Sequence, residues 1–330
     1  MDWNELYNLG LGLFEKATAF FGEALEMKPD HEAYYNQGVA LGNSGKFQEE
    51  IACYDKTLAI KPDFHLAWNN RGNAMNNLGL FEEAIADYDK ALKIKPGFHL
   101  TWYNRGVALD NLGRFEEAIA SFDKALEIKP DYYEAWLNRG SAMNNLGRWE
   151  EAIASFDKAL EIQPSAHEAW YNRGFVLGNL GRFEEAIVSY DKALEIKPGF
   201  PEAWRERGTT LLYLARAEAA ITSFDKALEI KPDYHDAWDN RGVALGTLGR
   251  LEEALASCDK ALELKPDYHA AFYNKACCYA LQSQIDQALQ NLQQAIHLNP
   301  DKYRELAKTD SGFDSIRSHT RFQALIQGQN

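Results

Sequence analysis

The sequence is poor in cysteine and in basic residues, and both shortages exclude certain classes of protein and of binding partner. Only four of its 330 residues are cysteine, namely Cys53, Cys258, Cys277 and Cys278, and no two form a Cys-x-x-Cys pair. This usage indicates a reducing compartment rather than a disulfide-stabilised secreted protein. Lysine and arginine total 35 against 49 aspartates and glutamates, so the net charge is −14. An acidic chain disfavours nucleic acid and anionic membrane surfaces, and a neutral or basic protein partner fits better.

Targeting segments, membrane spans and catalytic motifs are also missing. The beginning, MDWNELYNLGLGLF, has no basic segment before an apolar run, so we expect no signal peptide. No apolar stretch reaches about 18 residues, which predicts no membrane insertion, and we expect a cytoplasmic protein. The sequence contains no GxxxxGK[ST], HExxH or GxSxG motif, and no acid–base pair stands out. We therefore expect no enzyme activity and no cofactor.

What the sequence does have is a repeat. Prolines recur every 34 residues from Pro62 to Pro300, and Pro29 precedes the first of them by 33. A fixed period of this length predicts a solenoid, in which each unit buries its apolar face against its neighbours. A partial repeat (1–30) comes before the complete ones, and residues 303–330 follow them. The eight complete repeats are 31–64, 65–98, 99–132, 133–166, 167–200, 201–234, 235–268 and 269–302.

Each repeat is typical of two helices. In residues 99–132 the first helix runs from about Leu100 to Leu112, and Gly113 supplies a left-handed residue that closes it. The second helix begins near Phe115 and stops before Pro130, which lacks the N–H that a helix interior needs. An all-α solenoid of antiparallel helix pairs is the predicted fold.

The spacing of large and small residues resembles the tetratricopeptide repeat over about residues 14–302. The residues that carry this resemblance are Trp102, Gly106, Ala118, Phe122, Ala125 and Pro130, and again Trp68, Gly72, Ala84, Tyr88, Ala91 and Pro96. The resemblance implies a right-handed superhelix with a concave inner face. It also implies that this face binds a peptide or a protein segment.

One departure from that family concerns a row of charges. Arginine stands three residues after tryptophan, where the family usually has leucine, for example at Arg71 and Arg105, and the second helices carry aspartates such as Asp55 and Asp89 in the same rhythm. Pairing within a repeat would leave Asp55 opposite Gln37, whereas pairing with the next repeat leaves no mismatch. We therefore expect ion pairs between repeats that set their register. Solvated charges, or arginines that point into a ligand groove, are the alternatives.

A second stripe of the first helices is rich in asparagine. In residues 133–166 it comprises Glu134, Asn138, Ser141 and Asn145, at spacings of 4, 3 and 4, opposite the tryptophan stripe. Asparagine offers both a donor and an acceptor, which suits an extended peptide backbone. Two alternative explanations remain. The family in general prefers asparagine at the first position of each pair, such as Asn138, and an asparagine at the second, such as Asn145, can cap the helix end. The predicted peptide-binding asparagines are Asn36, Asn43, Asn70, Asn77, Asn104, Asn111, Asn138, Asn145, Asn172 and Asn179.

Aromatic and charged side chains accompany this stripe. The aromatic candidates are Tyr35, Tyr103, Tyr171 and Phe175, which could form pockets for a partner or pack between first helices. Acidic residues at the start of the stripe favour a basic ligand or only the helix dipole. Repeat 201–234 differs, with Arg205 beside Glu206 and Tyr213 in place of the second asparagine. Three explanations of this difference are open: a specificity site, a local change of curvature, or unselected sequence drift.

Histidines at the first place of most repeats do not predict a metal site. They are spread along the array about 10 Å apart, whereas ligands must converge at about 2 Å from a metal. We expect them to pack at the helix starts.

The two ends depart from the repeat. Residues 3–12 read as a short helix and residues 14–27 as a second one. The apolar residues Trp3, Leu6, Leu9 and Phe14 could pair with another copy of the chain or with a segment that precedes this one. Residues 303–330 read as capping helices that cover the last repeat, or else as a motif that folds back into the groove.

Three functions are consistent with the sequence. The first is a non-catalytic scaffold that binds a peptide or protein segment in the concave groove. The second is a structural array that forms homo-oligomers through the N-terminal partial repeat. The third is the regulatory or substrate-recruiting part of a larger enzyme.

Overall fold

A computed structural model describes the backbone of residues 3–328 and the side chains of residues 12–328. Within that part of the chain all regular structure is helical, and the chain divides into two compact units, Met1–Pro164 and Ser165–Asn330. The helices of the first unit are α1 (Trp3–Met27), α2 (His31–Asn43), α3 (Phe47–Ile60), α4 (His65–Asn77), α5 (Phe81–Ile94), α6 (His99–Asn111), α7 (Phe115–Ile128), α8 (Tyr133–Asn145) and α9 (Trp149–Ile162).

The second unit continues the same alternation and ends differently. Its helices are α10 (His167–Asn179), α11 (Phe183–Ile196), α12 (Pro201–Tyr213), α13 (Ala217–Ile230), α14 (His235–Thr247), α15 (Leu251–Leu264), α16 (His269–Leu281), α17 (Ile285–Leu298), α18 (Pro300–Thr309), a 3-10 helix (Ser311–Ile316) and α19 (Thr320–Gln327). Each unit is an α-solenoid of paired helices, as the sequence predicts.

Small residues let the two helices of a repeat approach closely. A Cβ atom added to Gly106 would lie 2.5 Å from Cε1 of Phe122, so only glycine fits against that ring. Ala118 and Ala125 are fully buried on the facing helix. The turn between the helices needs Gly113, whose φ is +72°, in the left-handed region that favours glycine. Both glycines recur in six of the eight complete repeats, whereas repeat 201–234 has Ala215 at the turn and repeat 269–302 has Ala276 and Ser283.

Ion pairs join consecutive repeats, as the charge rhythm predicts. Within the first unit Arg105 Nε lies 2.7 Å from an oxygen of Asp89, and Arg71 pairs with Asp55. Arg105 also donates to Ser121 of its own repeat at 2.7 Å. The same inter-repeat pairs recur as Arg139 with Asp123, Arg207 with Asp191, Arg241 with Asp225 and Lys275 with Asp259. The arginines therefore bridge neighbouring repeats rather than point into a groove.

The N-terminal segment corrects one expectation. Residues 3–27 form the single helix α1 rather than a short helix followed by a longer one. Residues 11–14 read Leu-Gly-Leu-Phe, the same text as the turn at residues 78–81, yet α1 continues through them; a glycine such as Gly12 weakens a helix by only about 1 kcal/mol without ending it. The side chains of Trp3, Leu6 and Leu9 lie outside the described residues, and Phe14 is exposed.

The C-terminal residues pack on the last repeat. Phe313, Ile316 and Phe322 are buried in one cluster with Leu289 and Leu292 of α17. The Arg317 guanidinium donates to the carbonyl oxygens of residues 307, 308 and 310, which ties α18 to the 3-10 helix. The apolar side of α17 is thereby covered.

Candidate functional site

The first helices of the repeats expose one continuous row of side chains within each unit. We count positions from the first residue of each first helix, so that His65 is position 1 of its repeat and Asn70, Asn73 and Asn77 are positions 6, 9 and 13. Every cleft described below is lined by residues at these three positions. We call this surface, in each unit separately, the cleft face.

In the first unit the cleft face is made mainly of amides. A cleft of about 250 Å³ lies among Asn43, Asn70, Asn73 and Asn77, and a neighbouring one of about 280 Å³ shares two of these and adds Asn104. We name the two together the amide cleft. It brings together six asparagines from three consecutive repeats, Asn76 included, four of which the sequence analysis identifies.

Two of these asparagines also hold neighbouring repeats together. Asn70 Nδ2 donates to the Tyr35 hydroxyl at 3.0 Å, and Asn104 Nδ2 donates to Asn73 Oδ1 at 2.9 Å. Asn43 and Asn77 are exposed instead. The last turn of the helix is closed by backbone bonds, as from the N–H of residue 78 to the carbonyl oxygen of residue 74 at 3.2 Å. The exposed amides at position 13 are thus available to a ligand.

A buried carboxyl group forms the floor of the amide cleft. Glu50 is only 7% exposed and lines the cleft beside Tyr54. Burial raises the pKa of Glu50 to about 7, although the Tyr54 hydroxyl donates to its carboxylate. Gly42 makes room for it, because a Cβ there would lie 2.5 Å from a carboxylate oxygen. The other complete repeats have alanine at this position, for example Ala84.

In the second unit the cleft face is aromatic and acidic. A cleft of about 400 Å³ lies between α10 and α12, lined by Phe175, Asn179, Phe183, Glu206 and Tyr213 among others. We name it the aromatic cleft. Two further clefts follow along the same face, of about 550 Å³ around Asn240 and Val243 and of about 290 Å³ around Asn274 and Cys277.

Charges beside the aromatic cleft are partly compensated. Glu206 forms an ion pair with Arg205, whose Nε donates to the Tyr234 hydroxyl at 2.6 Å. Burial raises the pKa of Glu206, and the Arg205 guanidinium partly offsets that rise. Burial also raises the pKa of Asp239 in the next repeat to about 6, against a hydrogen bond from Asn274. Arg205 lies behind Glu206 and does not line the cleft.

The tyrosines at position 5 pack laterally. The Tyr35 ring lies 5.0 Å from that of Phe64, Tyr103 lies 5.0 Å from Tyr132, and Tyr171 lies 4.9 Å from Phe200. Each is half-buried between its own repeat's helix and the loop that follows. Tyr103 still reaches the amide cleft, whereas Phe175, at position 9, is an exposed wall of the aromatic cleft. Lateral packing therefore accounts for the three tyrosines.

The remaining candidate asparagines lie outside these clefts. Asn138 Nδ2 donates to the Tyr103 hydroxyl at 3.0 Å, which repeats the Asn70 arrangement. Asn36, Asn111 and Asn145 are exposed, and Asn172 is half-buried. The structure thus groups part of the predicted row around clefts and leaves part of it as exposed amides.

Metal binding and nucleophilic chemistry have little support. No group of three or more histidine, cysteine, aspartate or glutamate side chains among the described residues could hold a metal ion. The histidines pack on rings, as where His99 lies 5.4 Å from Tyr132 in an edge contact. Burial raises the thiol pKa of Cys53, Cys258 and Cys278, so these thiols are poor nucleophiles at neutral pH. In the described part of the chain no helix is both long and apolar enough to span a bilayer.

Several residues of the clefts were missed by the sequence analysis, and Asn73, Glu50 and Phe183 show why. Asn73 occupies position 9, where Ser141 had been placed on the stripe of its own repeat, so the same spacing could have found it. Glu50 stands where the other complete repeats have alanine, so a comparison of the repeats could have found it. Phe183 is a regular member of the second helix, and nothing in the sequence marks it as part of a cleft.

Solved structures with a similar fold include the C-terminal part of a TPR repeat-containing protein from Cytophaga hutchinsonii, with 18% identity, a TM-score of 0.60 and coverage of 75% of this chain and 98% of that one. A tetratricopeptide repeat protein from Parabacteroides merdae has 18% identity, a TM-score of 0.56 and coverage of 78% and 98%. YrrB, described as a TPR protein with an unusual peptide-binding site, has 29% identity, a TM-score of 0.48 and coverage of 57% and 98%. No curated protein matches the chain.

Family models described as tetratricopeptide repeat match most of the sequence. One matches residues 31–64, a second matches 65–98, 167–200 and 269–302, and a third matches 103–167 and 205–269. Four of the six matched ranges coincide with repeats that the proline spacing indicates, and the other two end one residue past a repeat boundary. The chain belongs to the tetratricopeptide repeat family.

Proposed function

We propose that this protein is a non-catalytic scaffold that holds an extended segment of another protein in the amide cleft. Membership of the family supports a protein-interaction role. The observation that carries the finer proposal is the exposure of Asn43 and Asn77 beside Asn73, on the first helices of two successive repeats. Amides offer a donor and an acceptor each, which an unpaired peptide backbone needs.

The chemistry of the amide cleft suits a peptide backbone better than a small polar metabolite. The amide cleft extends over three repeats, as a stretch of extended chain would. Its carboxyl group, Glu50, has a pKa of about 7 and so is partly protonated at neutral pH. It can then accept from a backbone N–H or donate to a carbonyl oxygen. A basic or neutral segment suits the net charge of −14.

The test uses a phage-displayed library of random 12-residue peptides, selected on the intact protein. The affinity of a selected peptide is then measured by calorimetry for Asn43→Ala plus Asn77→Ala. We expect a loss of about tenfold or more, since each lost hydrogen bond contributes about 1 kcal/mol. The matched control is Asn111→Ala plus Asn145→Ala, which removes two exposed amides at the same helix position outside the described clefts. Equal affinities for the two double variants would contradict the proposal.

Self-association is a second candidate, because α1 exposes an apolar stripe. Leu13, Phe20 and Met27 are seven residues apart, so they share one side of the helix, and Phe20 and Met27 are 66% and 89% exposed. Apolar residues at this interval are typical of a helix that pairs with another helix. Sedimentation velocity at increasing concentration tests it. We expect a dimer that Phe20→Glu abolishes, while an unchanged monomer for the unaltered protein excludes it.

A further inference from the structure

The aromatic cleft differs in shape and composition from every other described stretch of the cleft face. Its walls come from position 9 of α10, the first residue of α11 and position 13 of α12, which are Phe175, Phe183 and Tyr213. The Tyr213 ring stacks on Phe183, with centroids 5.0 Å apart and planes 5° apart. One face of a ring is thus supported while Tyr213 as a whole stays 70% exposed.

This exposure has no role in the core of the protein. The equivalent position holds asparagine in the five preceding repeats, for example Asn145, and those repeats have the same helix pair. Phe175 is likewise 36% exposed. Two large rings directed at one cleft of about 400 Å³ provide an apolar and π-electron surface that no part of the described second unit covers.

The charge around the cleft is negative. Glu206 replaces the asparagine that occupies position 6 in every other complete repeat, and it lines the cleft. Glu206 is the one charged residue among those that line the cleft. Arg205 is turned away toward the Tyr234 hydroxyl, so the carboxylate side of the pair faces the cleft.

We propose that the aromatic cleft receives a lysine or arginine side chain of the bound segment, an inference that rests on the peptide-binding function proposed above. The methylene stem would lie along the rings of Phe175 and Tyr213, and the cation would lie over a ring face and near the Glu206 carboxylate. Aromatic faces attract cations through their quadrupole, and an adjacent carboxylate adds to that attraction. The cleft thereby selects a basic residue at one place of the ligand.

The probes are four capped amino acids, the N-acetyl N-methylamides of lysine, norleucine, arginine and citrulline. Norleucine and citrulline match the shapes of the two basic residues and lack the charge. Binding is followed by methyl NMR of the full chain, with Thr209 and Thr210 reporting on the aromatic cleft and Val39 and Val107 on the amide cleft. We expect saturable shifts at Thr209 and Thr210, and binding of each basic probe about fivefold or more tighter than its neutral partner.

Two variants separate charge from shape. Glu206→Gln keeps the shape and the rings, and we expect it to reduce the preference for the basic probes without weakening the neutral ones. Tyr213→Asn restores the residue of five other repeats, so the fold should persist, and we expect it to weaken all four probes. Equal affinity of basic and neutral probes, shifts confined to Val39 and Val107, or a charge preference that Glu206→Gln does not reduce would each overturn the proposal.

The outcome is distinguishable from failure of the peptide-binding function. If the selected peptide still binds and depends on Asn43 and Asn77 while the four probes show no charge preference, the scaffold function stands and the basic-residue cleft does not. If no peptide is selected but the basic probes saturate Thr209 and Thr210, the cleft stands alone.

Discussion

Replacing Glu50 by alanine should stabilise the first unit at alkaline pH. Glu50 is the one residue at its repeat position that is not alanine, and its carboxyl group is buried beside Tyr54. A buried carboxylate that must ionise makes the folded state less favourable as the pH rises. Ala84 and Ala118, the equivalent residues of the next repeats, are fully buried without any such group.

The magnitude follows from the pKa. The pKa of Glu50 rises from 4.5 to about 7 on folding. The folded state therefore binds a proton more tightly than the unfolded state between these values, and stability falls as the pH rises through that window. At about 1.4 kcal/mol per pKa unit, the destabilisation reaches about 3 kcal/mol above pH 7. Losing the hydrogen bond from Tyr54 costs about 1 kcal/mol, so the net gain of Glu50→Ala is about 2 kcal/mol at pH 8.

The assay is urea unfolding at pH 4.5 and pH 8, combined with hydrogen exchange of α2 and α3, because repeat arrays open locally as well as globally. We expect Glu50→Ala to protect these helices at pH 8 and to be neutral or slightly destabilising at pH 4.5. Glu49→Ala removes an exposed neighbouring carboxylate and serves as the control. A wild-type stability that does not fall between pH 5 and pH 8, or a variant less stable at both pH values, would refute the reasoning.

Four further substitutions test the packing and the ion pairs. Ala215→Gly should stabilise the second unit by about 1 kcal/mol in urea unfolding, because Ala215 has a φ of +56°. Gly106→Ala should destabilise the first unit by about 2 kcal/mol, since the added Cβ would lie 2.5 Å from the Phe122 ring. Asp89→Asn should cost under about 1 kcal/mol because Asp89 is half exposed, whereas Asp87→Asn, at a buried carboxylate paired with arginine, should cost about 2 kcal/mol, both measured by thermal unfolding at low and high salt.

Matched variants define the results that would contradict these predictions. Gly249→Ala places alanine in the same left-handed turn and should lose what Ala215→Gly gains. Gly97→Ala adds a Cβ with no atom within 4 Å and should be neutral, so a loss equal to that of Gly106→Ala would contradict the packing argument. Equal losses for the two aspartates would show that burial does not decide the strength of these pairs.

Repetition made the fold and the register predictable. A turn glycine such as Gly113 and a stop such as Pro130 recur at one period, so each helix boundary is marked many times over. The direction of the ion pairs also followed, because Gln37 at one end of the row breaks the pairing within a repeat. The structure confirms this for Arg105 with Asp89 and its equivalents.

The candidate sites were less predictable than the fold, because they depend on contacts between repeats that the pattern along one helix does not reveal. Tyr35 and Phe175 lie at positions 5 and 9 of their helices, and only packing decides that the first stacks on a ring and the second faces a cleft. Arg205 could not be assigned from its place on the helix, since the Tyr234 hydroxyl draws it away from the cleft. The continuous α1 was missed because its glycines resemble a turn.

The arginine bridges have a consequence for how the protein could change in length. Arg139 joins an aspartate of the preceding repeat to Ser155 of its own, and Arg241 does the same with Asp225 and Ser257. Such a junction requires only an aspartate at the matching position of the neighbouring repeat. Loss or duplication of one whole repeat therefore recreates the same ion pair at the new junction, so the number of repeats can change without breaking the contact.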